Sequence, residues 1–178
     1  LSVEDLRGVL GEVIVAPELQ EGAAPPSPGM KYKHYAPKAT VLVAEGSPED
    51  QRRSNAVHAL KSLISGKKVA VLASADSTGR ISAPAYSNLA ESYPGSFFVL
   101  ELGSRSDLAS VAARLFSSLR LADKLGADLV LAESFPRAGL GLAIQNRILR
   151  ASGGAKVPRA GEAGLNLLMV CTGNTCRS

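Results

Sequence analysis

The sequence predicts a small α/β domain over residues 40–152, of the Rossmann-like, doubly wound class, with a mostly parallel sheet and helices on both faces. Two observations carry this prediction. Short apolar runs alternate with longer segments whose apolar residues recur every three or four positions, which favours alternating strands and helices. The short runs are also apolar at consecutive positions, as in strands that are buried on both faces of a sheet.

Four strands are predicted. The first is a β-branched run closed by Gly46, and the other three are apolar runs that follow the predicted helices. Their bounds, in chain order, are 40–46, 67–74, 96–103 and 127–135. Residues 74–85, between the second and third strands, are polar and contain Gly and Pro, so we expect a turn at their start and a short helix only from about Tyr86.

Three longer helices are predicted at 47–66, 106–126 and 139–152. The first has the best defined ends, because Ser47 can cap it, Pro48 suits its first position and Gly66 can stop it. The helix at 106–126 has the clearest apolar stripe. That stripe comprises Leu108, Val111, Ala112, Leu115, Phe116, Leu119, Ala122 and Leu125.

The residues before the strands look like the end of another unit. A short helix is predicted at 2–10, with Ser2 as its cap, followed by a brief extended piece at 12–15. Pro and Gly then occur at a density that no helix or strand interior tolerates. Because the chain also starts without Met, we expect residues 1–24 to be the tail end of a domain that lies upstream, and residues 25–39 to be a linker.

Composition limits the classes of function. The chain has 178 residues and a net charge of +4, with no long basic run, so direct nucleic-acid binding is not indicated. No apolar run reaches about 18 residues, so no membrane-spanning segment is predicted. Both cysteines lie in the last eight residues, which excludes a disulfide framework in the body and favours a reducing cytoplasm.

The carboxyl ends of the predicted strands, where ligands bind in such sheets, carry no strong nucleotide fingerprint. Ser104 and Arg105 are expected to be a helix cap and a solvated side chain, and Gly139 to Gly141 to form a tight turn. Arg147 is expected on an exposed face, and His58 as an ordinary half-buried residue. No metal site is predicted, because no His, Cys, Asp or Glu group within 40–152 has the spacing of metal ligands.

The linker has unusual chemistry, since its last part reads "SPGMKYKHYAPKA" over 27–39. In an extended backbone, Lys31, Lys33 and Tyr35 would face one way. Tyr32 and His34 would face the other way. Rings and ammonium groups in this arrangement suit either of two roles: covering a nucleotide, or pinning the linker to the domain surface.

This stretch resembles the linker signature of two-domain threonylcarbamoyl-AMP synthases, and "GKKVAVLAS" and "GLGLAIQNRILRAS" further along are similar to the same family. The resemblance covers about residues 1–152. It implies that an amino-terminal catalytic domain, acting in cis as a nucleotidyltransferase, makes threonylcarbamoyl-AMP and diphosphate from threonine, bicarbonate and ATP. The product would then serve the machinery that modifies tRNA with threonylcarbamoyladenosine.

The resemblance also implies roles for the residues of this chain. The Rossmann-like domain would be an accessory part, and the linker a lid over the nucleotide, with Tyr32 or Tyr35 contacting it and Lys31, Lys33 and His34 lining the lid. ATP, with Mg²⁺, would be a substrate of the catalytic domain, and no cofactor is expected in this chain. Without the catalytic domain, the chain is expected to be inactive in adenylate synthesis.

The last residues, "LNLLMVCTGNTCRS", are similar to the start of a low-molecular-weight protein tyrosine phosphatase or a related arsenate reductase, in which Cys, five residues, Arg and Ser form the phosphate loop. The resemblance implies that Cys171 is the nucleophile, that Arg177 grips phosphate oxygens and that Ser178 bonds the thiolate. The loop backbone would bind phosphate through Thr172, Gly173, Asn174, Thr175, Cys176 and Arg177.

The sequence therefore predicts a segment of a fused polypeptide, with a linker at 153–164 and the start of a truncated phosphatase at 165–178. Two alternatives remain open. One is that the chain is chiefly a phosphatase or arsenate reductase fragment. The other is that it is a non-catalytic module that docks tRNA or a protein partner.

Overall fold

The computed structural model describes residues 3–13, 37–78 and 84–160. In chain order, the elements are α1 (Val3–Leu10), β1 (Thr40–Ala44), α2 (Pro48–Ile64), β2 (Val69–Ala73), α3 (Ala75–Thr78), α4 (Pro84–Ser92), β3 (Phe97–Glu101), α5 (Leu108–Lys124), β4 (Leu129–Glu133) and α6 (Gly139–Ser152). All four predicted strands and the three predicted long helices are present, with ends that differ by a few residues. Among the residues described, no helix is both long and apolar enough to cross a membrane.

The strands form one parallel sheet in the order β1-β4-β2-β3. Val130 of β4 pairs with Val41 of β1 on one side and with Ala70 of β2 on the other. The last of the four described strands is thus inserted between the first two. The predicted fold class is confirmed: an α/β domain with an all-parallel sheet.

Two apolar cores lie on opposite faces of the sheet. On one face, α5 and α6 cover Val41 and Val43 of β1 and the matching residues of the other strands. On the other face, α2 and α4 cover Leu42, Ala44 and their neighbours. Because successive residues of a strand face opposite sides, consecutive apolar residues fill both cores, which is why the strand sequences do not alternate.

The start of α2 matches the sequence prediction. Ser47 and Asp50 form a capping box, in which the Asp50 backbone N–H donates to Ser47 Oγ at 3.2 Å and the Ser47 backbone N–H donates to Asp50 Oδ2 at 3.2 Å. The Ser47 hydroxyl, which donates to Asp50 Oδ2 at 2.6 Å, and after it the Ser47 backbone N–H hold the pKa of Asp50 below its usual value. The expectation that Ser104 caps the long helix is wrong, since the cap of α5 is Asp107, whose Oδ1 accepts the N–H of Ser110.

Two other segments differ from the expectation. The polar segment after β2 begins with the short helix α3, while residues 79–83 lie outside the described part. Within the predicted linker 153–164, Lys156 forms a parallel bridge with Val43, and Val157 is buried against the α2 face. The chain therefore continues to contact the outer edge of β1 after α6 ends, which composition alone does not reveal.

Candidate functional site

The site residues singled out from the sequence lie outside the described residues. This holds for Lys31, Tyr32, Lys33, His34 and Tyr35 of the linker, and for Cys171, Thr172, Gly173, Asn174, Thr175, Cys176, Arg177 and Ser178 of the tail. Their roles stay predictions. In the ranges 3–13, 37–78 and 84–160, no group of three or more His, Cys, Asp or Glu residues could hold a metal ion.

The described residues do form a polar cluster at the carboxyl edge of the sheet, the place where domains of this fold bind ligands. We call it the edge cluster and define it as Gln51, Ser74, Arg105, Glu133 and Ser134. Ser74 follows β2 and Arg105 follows β3. Glu133 ends β4 and Ser134 follows it, while Gln51 comes from the first turns of α2. Parallel strands bring these segments together because their carboxyl ends meet at one edge.

Arg105 is the centre of the edge cluster. Its Nη2 lies 2.8 Å from Glu133 Oε2 and 3.2 Å from Gln51 Oε1, its Nε donates to Ser74 Oγ at 3.2 Å, and its Nη1 donates to the Ser134 carbonyl at 3.2 Å. The guanidinium also lies 5.0 Å from the centre of the Phe135 ring. Only 19% of its side chain is exposed, so the expectation of a solvated arginine is wrong.

Glu133 is fully buried, and one of its oxygens carries most of the contacts. Oε2 accepts the backbone N–H of Ser74 at 3.1 Å and its hydroxyl at 2.9 Å, in addition to the Arg105 guanidinium. A buried carboxylate persists only with such partners, because its desolvation costs several kcal/mol. Arg105 and Glu133 thus form a neutral, multiply bonded pair across β2.

Gln51 connects this pair to β1 and β4. Its Nε2 donates to the Gly46 carbonyl at 2.8 Å, and its Oε1 accepts the Ser134 backbone N–H at 2.9 Å. Because the guanidinium is already bonded to protein oxygens on several sides, the edge cluster is organised to hold the four strand ends together. It does not present Arg105 as a donor for a phosphate group.

Arg105 is also fixed through its backbone. Its N–H donates to Asp76 Oδ2 at 2.7 Å, and the Ser104 hydroxyl lies 3.3 Å from the same oxygen. The N–H of Arg105 is the main reason why the pKa of Asp76 lies below its usual value. The loops after β2 and β3 are therefore joined by bonds to both the backbone and the side chain of one arginine.

A shallow cavity of about 410 Å³ lies beside the edge cluster, at the end of β1. Charged groups of both signs line it, among them Glu45, Asp50, Arg53 and Arg159. Glu45 is paired with Lys156 at 2.9 Å and lies 3.9 Å from Arg137. Since carboxylates and cations are mixed around the cavity, its lining does not select one charge of ligand.

Three other expectations can be compared with the structure. The tight turn expected at Gly139 to Gly141 is wrong, since these residues begin α6, although the backbone φ of Gly139 is +51°. His58 is half-buried, as expected, and burial lowers its pKa. Arg147 is exposed, as expected, and its guanidinium lies 5.0 Å from the centre of the Phe116 ring, a contact that the sequence pattern did not indicate.

The edge cluster itself was missed by sequence reasoning. One signal was present: Glu133 is a carboxylate at the end of a run that is apolar at consecutive positions, "DLVLAE". A strand of that kind is buried on both faces, so its terminal Glu must find a partner. The identity of that partner was not readable, because Arg105 lies 28 residues earlier in the chain.

Comparison with known proteins gives a consistent result. A family model described as the C-terminal domain of threonylcarbamoyl-AMP synthase matches residues 1–153. The threonylcarbamoyl-AMP synthase of Bacillus subtilis is 37% identical over 155 residues, which are 86% of this chain and 40% of that protein. The synthase of Pyrococcus abyssi is 35% identical over 156 residues, with the same coverage of both chains. This chain therefore spans about two-fifths of the length of these relatives.

Solved structures agree with the sequence comparisons. The crystal structure of Pyrococcus abyssi Sua5 complexed with L-threonine superposes with a TM-score of 0.67 at 34% identity, covering 88% of this chain and 41% of that one. A variant of the same protein, with a His and the Tyr that follows it replaced by alanine, gives a TM-score of 0.66 at 33% identity, covering 88% of this chain and 40% of the variant.

Proposed function

We propose a function for this chain from the premise that it belongs to the family of the C-terminal domain of threonylcarbamoyl-AMP synthase. In this proposal it is the accessory part of such a synthase, working in cis with an amino-terminal catalytic domain that forms threonylcarbamoyl-AMP from threonine, bicarbonate and ATP with Mg²⁺. The adenylate would then serve tRNA modification in the cytoplasm. The family match over residues 1–153, with coverage of about two-fifths of the relatives, supports this division of labour.

The role that we propose for residues 27–37 is a lid over the nucleotide. Its aromatic and cationic side chains suit a nucleotide, and a closed lid would keep water from a labile mixed anhydride. The structure of a relative whose adjacent His and Tyr were both changed to alanine adds support, since this chain contains a His–Tyr pair only at His34 and Tyr35.

The described domain is suited to anchor such a lid. Directly after the lid, the Lys38 backbone N–H donates to Asp123 Oδ1 at 2.8 Å, and the Thr40 N–H donates to the Asp128 carbonyl at 3.0 Å. Ala39 between them is buried. These contacts fix the downstream end of the lid at the amino-terminal edge of the sheet, the edge opposite to the edge cluster.

The lid proposal predicts that His34→Ala/Tyr35→Ala, made in the complete synthase that contains this chain, lowers the rate of threonylcarbamoyl-AMP formation by about tenfold or more, because the reacting groups lose their enclosure. The melting temperature should not change. Diphosphate release from ATP in the presence of threonine and bicarbonate measures the rate. Lys67→Ala/Lys124→Ala, which removes two exposed cations of the folded domain, is the control. An unchanged rate in the His34/Tyr35 variant would exclude the lid role.

We also propose that residues 165–178 begin a second catalytic unit of the phosphatase type, on the basis of the Cys171, Arg177 and Ser178 spacing. In a longer polypeptide that contains this chain, p-nitrophenyl phosphate hydrolysis should be abolished by Cys171→Ser, since serine is a far weaker nucleophile at neutral pH. Cys176→Ser is the control and should retain activity. Hydrolysis that survives Cys171→Ser would show that the activity does not come from this loop.

A further inference from the structure

Three buried polar side chains lie between the sheet and the two helices α2 and α4, next to the edge cluster. They are Asn55 of α2, Tyr86 of α4 and Glu133 of β4, and their exposed fractions are 0%, 2% and 0%. Four of their polar atoms have no hydrogen-bond partner among the described residues: Asn55 Nδ2, Asn55 Oδ1, Tyr86 Oη and Glu133 Oε1.

The fold places these groups on one side of the sheet. Leu129 and Leu131 of β4 pack into the core under α2 and α4, and Glu133 follows them at the same two-residue spacing. Asn55 lies one turn before Ala59, another member of that core, on the buried face of α2. Tyr86 belongs to the same core.

The electrostatics of Tyr86 agree with this placement. Burial raises the pKa of its hydroxyl far above the ordinary value, and the negative charge of Glu133 is the next cause in size. The Asn55 side chain acts on the same hydroxyl in the opposite direction. All three groups belong to the face of the sheet that α2 and α4 cover.

Leaving these atoms without partners would be expensive. Each buried polar group without a hydrogen bond costs about 1–3 kcal/mol, and native proteins satisfy nearly all of them with protein groups or ordered water. The atoms include acceptors on Asn55 and Glu133 and donors on Asn55 and Tyr86. Their occupant must therefore both donate and accept, and it must be small, since the three side chains are enclosed.

Charge decides the chemical class of the occupant. Arg105 already neutralises Glu133 through the 2.8 Å contact at Oε2. A cation bound at Oε1 would add an uncompensated charge to a buried place, at a cost of several kcal/mol. A neutral molecule avoids this cost, and water is the neutral molecule of the right size that both donates and accepts.

We propose that Asn55, Tyr86 and Glu133 form an internal hydration site that joins α2 and α4 to the carboxyl end of β4 through one or two ordered water molecules. In this site, water donates to Glu133 Oε1 and Asn55 Oδ1 and accepts from Asn55 Nδ2 and the Tyr86 hydroxyl. The site extends the edge cluster inward, because Glu133 belongs to both. Its Oε2 is bonded within the edge cluster, and its Oε1 would be bonded by the water.

A crystal structure of the full chain, grown with rubidium in place of sodium and potassium, tests the proposal directly. We expect a density peak about 2.7–3.2 Å from Glu133 Oε1 and from at least one of the Asn55 amide and the Tyr86 hydroxyl. The peak should carry no anomalous signal. An anomalous peak would overturn the proposal in favour of a cation, and direct contacts among the three side chains without density between them would overturn it in favour of self-satisfaction.

A solution measurement gives an independent readout. Water oxygen-17 relaxation dispersion counts buried waters with long residence times, and Asn55→Leu/Tyr86→Phe should lower that count by one or two relative to the unsubstituted chain. Tyr86→Phe alone serves if the double variant does not fold, with an expected loss of one. Tyr93→Phe, at a half-buried tyrosine of the same helical region, is the control and should leave the count unchanged. An unchanged count in folded Tyr86→Phe and in the double variant would contradict the site.

Discussion

Arg105→Ala is expected to lower the free energy of unfolding by about 3–5 kcal/mol, because it leaves the carboxylate of Glu133 buried without a counter-charge. Glu133 has no exposed surface, and among residues 3–13, 37–78 and 84–160 the Arg105 guanidinium is its only ionic contact, at 2.8 Å. The same substitution removes the N–H groups that donate to Gln51 Oε1, Ser74 Oγ and the Ser134 carbonyl. Urea unfolding of the full chain, followed by circular dichroism, measures the change.

Two further variants separate the buried charge from the loss of side-chain volume. Arg105→Met/Glu133→Leu removes both charges and keeps apolar volume, and it should be clearly less destabilising than Arg105→Ala. Arg114→Ala is the matched surface control, because Arg114 lies 3.8 Å from Glu101 with about half of each side chain exposed. That pair should contribute less than about 1 kcal/mol. If Arg105→Ala costs no more than Arg114→Ala, the edge cluster does not stabilise the fold.

The location of this pair has a consequence for ligand binding. In doubly wound sheets, crevices open at the carboxyl edge where neighbouring strands send their connections to opposite faces. Here the connection after β4 leads to α6, which packs on one face of the sheet. The connections after its neighbours β1 and β2 lead to α2 and, by way of α3, to α4, which pack on the other face. Arg105, Gln51 and Glu133 fill that crevice with protein groups. The domain therefore uses the usual ligand position of its fold for internal bonds.

The sequence predicted the elements well because their signals are local. The capping box of Ser47 and Asp50 depends on four consecutive residues, and consecutive apolar residues such as those of "VAVLA" over 69–73 identify a strand buried on both faces. The apolar stripe of α5 was predicted correctly because it too depends only on the spacing of nearby residues. Leu115 and Leu119 are buried in the core, at the helical spacing that their positions indicate.

The candidate site could not be predicted in the same way, because its contacts are not local. Arg105 meets Gln51 across 54 residues, and Ser74 meets Glu133 across 59 residues. These contacts depend on the strand order β1-β4-β2-β3, which alternation of strands and helices does not determine. The linker residues, by contrast, were identified from composition and resemblance alone, and they lie outside the part of the chain that the structure describes.

Gly141→Ala is expected to lower the free energy of unfolding by about 3 kcal/mol, although alanine is normally the better helix former. A Cβ at position 141 would lie 2.3 Å from the carbonyl oxygen of Pro136 and 3.4 Å from Leu108 Cδ1. The carbonyl cannot retreat easily, because its neighbour Phe135 is buried and its backbone N–H is bonded to Gln145 Oε1 at 2.9 Å. Overpacking must therefore displace α6 from the loop after β4.

Gly8→Ala provides the matched control for this steric argument. Gly8 is also inside a helix, α1, and a Cβ there would meet none of the residues that the structure describes within 4 Å. Its substitution should leave the free energy of unfolding unchanged or raise it slightly, by up to about 1 kcal/mol. The two variants make the same chemical change in the same class of element, so the difference between them measures the close approach of α6 to Pro136. Equal effects at both positions would show that the loop moves aside freely, and the tight packing of Gly141 would then not contribute to stability.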